Sequence, residues 1–179
     1  MMRIMILFTS LSFFSNSIHI DFGNNEGGMD WQVVNDGVMG GLSQGKAILS
    51  DSSVIFAGTI SLDNYGGFST LRSPIQATDL SVYRTLKIRY RAEGQDFAIQ
   101  LQRSTAFYNP YLKFPLPQTK GKWTSLEIPL STFKEVRMSK PTGVDANAKL
   151  LSQTIRLALI NDGKKAGPFS LEVDFITFE

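Results

Sequence analysis

The 179-residue chain contains no cysteine. That excludes a disulfide framework, a thiolate nucleophile, an iron–sulfur cluster and a cysteine-ligated zinc site. Its single histidine, His19, cannot supply the two or three imidazoles of a common catalytic zinc site, and any histidine base would have to be this one. Past residue 20 there is no long helical period, no sustained repeat and no linker rich enough in Pro, Gly or Ser to divide the chain. Charge of one sign is scarce too: the net is +2, too little to draw nucleic acid by bulk electrostatics. It is unevenly spread, with 3 basic and 7 acidic side chains in residues 1–80 against 15 and 9 in residues 81–179, which predicts one basic side of the fold.

What remains is a globular composition, 42% hydrophobic and 19% charged, long enough for one sizeable core. Residues 1–17 run from the lone basic Arg3 through the apolar stretch Ile4 to Phe14 to the small-residue pattern Ser15-Asn16-Ser17. This predicts a secretory signal cleaved after Ser17, too short to span a membrane, followed by a single domain over 18–179 and export to the periplasm or beyond. The competing reading is a buried first strand of a cytoplasmic protein. His19, beside the expected cleavage point, reads as part of a frayed terminus.

Alternation with period two dominates the rest. Leu86, Ile88 and Tyr90 alternate with Lys87, Arg89 and Arg91, and Phe97, Ile99 and Leu101 with Ala98, Gln100 and Gln102; the turn Ala92-Glu93-Gly94-Gln95 between them predicts a hairpin with one buried and one wet, basic face. Further strands are expected at residues 31–34, 46–49, 54–62, 68–73, 111–114, 123–128, 154–160 and 169–178, with a late bulge or cover on both faces where Ile176 and Phe178 break the last alternation. Helical signals are confined to a one-turn cap at Asp79-Leu80-Ser81 and a short helix in residues 147–152. About ten short strands punctuated by Asn-Asp-Gly and Gly-Gly turns indicate an all-β sandwich or barrel.

Three segments carry a family resemblance: residues 31–43 (WQVVNDGVMGGLS), 56–62 (FAGTISL) and 66–72 (GGFSTLR). Together with Asp79-Leu80-Ser81, Trp123, Ile128-Pro129-Leu130, Phe133 and residues 167–171 (GPFSL), they resemble the complex I intermediate-associated protein 30 family from about Ile20 to the C-terminus. The resemblance implies a galactose-binding-like jelly roll of two antiparallel sheets and a non-enzymatic, chaperone-like assembly factor that holds a respiratory-complex intermediate by protein–protein contacts. The chain departs from the pattern at Met138-Ser139, where relatives often continue with Gly.

Candidate site residues follow from both readings. The loops around Asp36, Gly40, Gly41, Gly66, Gly67 and Arg72 would form the contact surface for a partner, the competing reading being tight structural turns. Phe68, Thr70 and Arg72 share one strand face; if it is the inter-sheet core, the guanidinium needs an acid, and Asp36 is the candidate. Otherwise Arg72 grips a ligand carboxylate or sugar hydroxyl. In the aromatic and proline-rich run 107–117, Phe107 and Phe114 are assigned to the core and Tyr108 and Tyr111 left open between core and ligand contact. Trp31 and Trp123 are read as core anchors. The second function is an exported carbohydrate-binding module using a concave sheet face lined by Arg89, Arg91, Gln100 and Gln102. Asp21, Asn24, Asn25 and Glu26 gather oxygen ligands without the spacing of an EF-hand loop, so no metal or other cofactor is expected. No pair among the sixteen acids can be promoted to a glycosidase pair from spacing alone, and no enzymatic activity is expected.

Overall fold

The computed structural model describes residues 17–23 and 27–179. In chain order the strands are β1 (Ile18–Asp21), β2 (Gln32–Asn35), β3 (Gln44–Leu49), β4 (Val54–Ile60), β5 (Ser69–Arg72), β6 (Thr85–Glu93), β7 (Phe97–Gln102), β8 (Tyr111–Leu116), β9 (Thr124–Pro129), β10 (Lys134–Arg137), β11 (Lys140–Asp145), β12 (Arg156–Asn161) and β13 (Gly167–Phe178). They form two antiparallel sheets. One runs β3-β4-β13-β6-β9, with β1 beside the C-terminal half of β13; the other runs β11-β10-β8-β7-β12-β5-β2. The fold is an all-β jelly-roll sandwich, as the resemblance implied and as one of the two architectures the alternation left open.

Alternation puts the apolar half of each strand between the sheets. Leu86, Ile88 and Tyr90 of β6 and Phe97, Ile99 and Leu101 of β7 are buried, as are Phe56, Leu71, Leu112, Leu159, Leu171 and Val173 from other strands. Each such side chain removed from water contributes roughly 1.5–3 kcal/mol before conformational entropy is set against it. Tyr90 keeps its phenol paired by donating to the Pro117 carbonyl oxygen at 2.7 Å, and burial pushes its pKa up to about 12. In β13 the pairing to β6 shifts between Val173 and Phe175, so that Phe169, Leu171 and Val173 before the bulge and Ile176 and Phe178 after it are all buried.

The expected hairpin between residues 86–90 and 97–101 is not formed. β6 pairs with β13 and β9, whereas β7 pairs with β12 and β8, and the chain passes from one sheet to the other at Gly94, whose φ is 84°. The expected wet, basic face is found on β6 alone, since Ala98 and Gln100 of β7 are buried as well, and nothing in the alternation says on which side of the core each strand lies. His19 is not frayed: β1 pairs along β13 from Ile18↔Phe178 to Asp21↔Phe175, and His19 Nδ1 lies 2.7 Å from Thr177 Oγ1. Apart from Ser17, the expected leader lies outside the described residues.

The hairpin of β10 and β11 turns through Met138 and Ser139, at φ 49° and 63°. Two consecutive left-handed positions form the tight turn that Asn-Gly fills without strain, while a side chain with a Cβ pays a steric penalty there. Changing Met138-Ser139 to Asn-Gly is expected to raise stability by about 1 kcal/mol, seen as a higher urea midpoint at unchanged slope. The two helical signals are realised: Asp79 accepts from Ser81 N at 2.8 Å ahead of a 3-10 turn, and Asn147 accepts from Leu150 N at 3.2 Å to open the helix α1 (Ala148–Leu151).

Candidate functional site

At one end of the sandwich, loops 36–43 and 61–68 meet around a single carboxylate. Asp36 is wholly buried and accepts four hydrogen bonds: from Ser43 N at 2.9 Å, Ser43 Oγ at 2.5 Å, Gly67 N at 2.6 Å and Phe68 N at 3.2 Å. Burial pushes the carboxyl pKa upward, but the bonds from Ser43, Gly67 and Phe68 outweigh it and hold the group below its ordinary value. Gly41 and Gly66 are required by this packing, because a Cβ on Gly41 would lie 2.4 Å from Asp36 Cγ and one on Gly66 2.6 Å from Asp36 Oδ2. Gly40 and Gly67 make the adjoining turns at φ 88° and 124°. Asn64 Nδ2 adds a bond to the Gly40 carbonyl oxygen at 3.1 Å. Asp36 therefore does not pair with Arg72, and its contribution is to join the two loops. What those loops turn outward is apolar: Val38 is 74% exposed, Tyr65 is fully exposed, and Met39, Leu42 and Leu62 are exposed beside them.

Beneath the loops the sheets are bolted together. The Asn35 side chain meets the Gly45 backbone twice, accepting from its N–H at 3.0 Å and donating to its carbonyl at 3.2 Å, and it also accepts from Ser69 Oγ at 2.6 Å. A side-chain amide thus mimics one rung of a β-ladder between β2 and β3, which belong to different sheets.

Arg72 lies elsewhere. Leu71 points into the core, so Arg72 projects from the outer face of the seven-stranded sheet. There it stands opposite Gln32 and Ala158, one strand from Arg156, and Arg156 stands opposite Gln102. A pocket of about 160 Å³ is lined by Arg72, Arg156, Gln100, Gln102, Phe107 and Tyr111 among others. A second of about 470 Å³ adjoins it across the same two arginines. Tyr111 is half-buried here, and burial followed by the charge of Asp162 raises its phenol pKa. Tyr108 is exposed on the loop leading into β8, outside this trough, with its carbonyl accepting from Arg137 Nε at 3.2 Å. Phe107 is not core: it is exposed at the rim, 5.6 Å from the Tyr108 ring. Phe114 packs against the core beside Phe133.

Arg89 and Arg91 do not share that face with Gln100 and Gln102. They stand on the opposite sheet, where Arg89 pairs with Asp174 and Arg91 with Glu172, and both lie over the Trp123 ring at 4.7 and 5.0 Å. Trp123 is thus a surface platform for two arginines instead of a core anchor. Trp31 does pack against the core, edge-on to Phe22. Among the described residues no three acidic or histidine side chains converge to hold a metal ion; Asn24, Asn25 and Glu26 lie outside them. No helix among them is long and apolar enough to cross a membrane.

The complex I intermediate-associated protein 30 family matches residues 20–173, almost the whole sandwich. The chain belongs to that family. A relative within it, the mitochondrial complex I intermediate-associated protein 30 of Mus musculus, is 25% identical over 167 residues, covering 82% of this chain and 51% of that one. The chain therefore spans about half the length of this curated relative. Among solved structures, the family 11 carbohydrate-binding module of the cellulosomal cellulase Lic26A-Cel5E of Clostridium thermocellum is similar with TM-score 0.64 at 16% identity, over 91% of this chain and 94% of that one. The module in complex with a β-1,3-1,4-mixed-linked tetrasaccharide matches with TM-score 0.62 at 18% identity, over 90% and 94%. At such identities the likeness concerns the fold.

The family segments that carried the resemblance meet in space: residues 31–43 and 66–72 at the Asp36 loops and the Asn35 bolt, and residues 56–62 through Ser61, whose backbone bonds the Ser43 hydroxyl. Sequence reasoning found the glycines but missed the apolar side chains between them, although Val38, Met39, Leu42, Leu62 and Tyr65 interrupt turn segments that need no apolar residue. It also missed Arg156, which no motif marks.

Proposed function

We propose that this chain is a non-enzymatic binding domain that docks a partner protein through its loop end, in the manner of an assembly factor. The observation that carries the reading is the set Val38, Met39, Leu42, Leu62 and Tyr65, exposed on loops that a buried carboxylate holds in place. Exposed apolar clusters on a rigid frame suit association, because little conformational freedom is lost when a partner covers them. The partner that fits is a protein subunit presenting an apolar surface, and the name of the mouse relative supports a subunit of a respiratory-complex intermediate.

The test is capture from a native extract with mass-spectrometric identification of what is retained. The native chain is expected to retain a membrane-complex subunit, and the pair Val38→Ser and Tyr65→Ser to reduce that capture about tenfold or more with an unchanged melting temperature. Equal capture by both proteins would remove the loop end from the interface. A second reading, a saccharide-binding domain, is favoured by a separate observation: the side-chain amides, phenol and exposed ring gathered along the outer face of the seven-stranded sheet.

A further inference from the structure

On the outer face of the six-stranded sheet Lys87, Arg89 and Arg91 are paired with acids, whereas Arg72 and Arg156 are not: among the described residues neither takes part in an ion pair. Arg72 Nε is inaccessible to solvent and has no hydrogen-bond partner. The two amides beside them have a fixed polarity, and Asp30 lines the adjoining pocket with both arginines. Arg156 Nε donates to Gln102 Oε1 at 2.9 Å, and since a guanidinium can only donate, the Gln102 amide must turn its nitrogen the other way. That nitrogen donates to Gln100 Oε1 at 2.9 Å, so Gln100 in turn presents its own amide nitrogen outward. The relay engages one lone pair on each amide oxygen and leaves guanidinium and amide N–H groups along the trough. Such a surface favours a group that accepts, and an ionised one best offsets two adjacent positive charges.

We propose that this trough is a second ligand site, in which Arg72 and Arg156 clasp the carboxylate of an acidic sugar residue in a glycan. The inference rests on the saccharide reading and is independent of the loop end. Ala158, directly opposite Arg72, leaves room for the guanidinium to lie across the sheet. The backbone of β5, β12 and β7 is already committed to ladders on both sides, so an extended peptide crossing this face would find no main-chain partners. Recognition has to be by side chains, which suits hydroxyls taken by Gln100 and Tyr111 and a ring face laid on the exposed Phe107. Burial, and then the charge of Arg156, press the Arg72 pKa downward. An anion between the two relieves that opposition.

The experiment is a calorimetric titration of the full chain with trigalacturonate, with neutral galactotriose, with triglutamate and with inorganic phosphate. Trigalacturonate is expected to bind, more weakly as salt is raised, and to lose about tenfold or more in affinity with either Arg72→Gln or Arg156→Gln. Each variant is expected to melt at or above the native temperature, since removing one of two like charges relieves repulsion; a structural arginine would give the reverse. Arg72→Lys, which keeps the charge without the fork, is expected to fall between. Equal binding of galactotriose with no effect of the variants would overturn the carboxylate clasp and leave the saccharide reading standing. Binding of triglutamate or phosphate without trigalacturonate would overturn the glycan assignment, and silence in all four titrations would overturn the site. The Val38→Ser and Tyr65→Ser pair is expected to bind trigalacturonate like the native chain, which separates failure here from failure at the loop end.

Discussion

Replacing Asp36 with alanine is expected to destabilise the domain by about 4 kcal/mol, because it leaves the N–H groups of Ser43, Gly67 and Phe68 facing a cavity with their common acceptor gone. Asn is expected to cost nearly as much: its amide nitrogen would turn toward donors, and the charge that strengthens the bonds from Ser43 and Gly67 would be lost. The same carboxylate sets an acid limit. Its pKa is depressed in the folded chain, so between the folded value and the ordinary carboxylate value of about 3.9 the unfolded chain holds more protons, and lowering the pH favours unfolding. The stabilisation is fully present above the unfolded value and is lost as pH falls through the folded one. Urea unfolding of the native chain from about pH 5 to about pH 3 should therefore show a falling midpoint, and Asp36→Asn should lack this share of the fall. A pH-independent difference between the two proteins would mean that the charge is not what joins the loops.

That Asp36 matters was visible in its glycine-rich surroundings, but how it matters was not, because its partners lie 7, 31 and 32 residues away. The same limit runs through the fold. Period-two alternation located β6, β7 and β13, since each strand has to bury one face, and its break late in β13 left open the bulge that the register then shows. It could not assign β6 and β7 to different sheets, because both sheets offer the same demand from opposite sides. On β5 the pattern grouped Phe68, Thr70 and Arg72 without saying which way they point: Phe68 argued for the inside and Arg72 for the outside, and Leu71 decided it. β11 escaped notice for a different reason. It is exposed along its whole length and contains Pro141 and Gly143, so it carries no apolar period to read. Arg156 escaped because its significance is its place beside Arg72 without an ion pair, a property of the folded surface that no spacing encodes.

Gly58→Ala tests how the sandwich supports the loop end. Gly58 stands opposite Gly45 between β3 and β4, and a Cβ there would lie 1.9 Å from the Gln44 carbonyl oxygen. That atom is backbone, so no rotamer change relieves the clash and β3 has to move. Moving β3 pulls Gly45 from the Asn35 amide and displaces Ser43, one residue before the strand, from Asp36. The expected cost is about 3 kcal/mol, at the upper end of overpacking because polar bonds are lost with the fit. Gly37→Ala, with nothing within 4 Å of its added Cβ, is the control and should stay within about 0.5 kcal/mol of the native chain. Amide exchange should quicken along β3 in Gly58→Ala and stay native along β5 and β12. Partner capture at the loop end should then weaken while titration at the arginine trough does not change. Loss of both together would show that the two faces are coupled through the core and would end the description of them as separate sites.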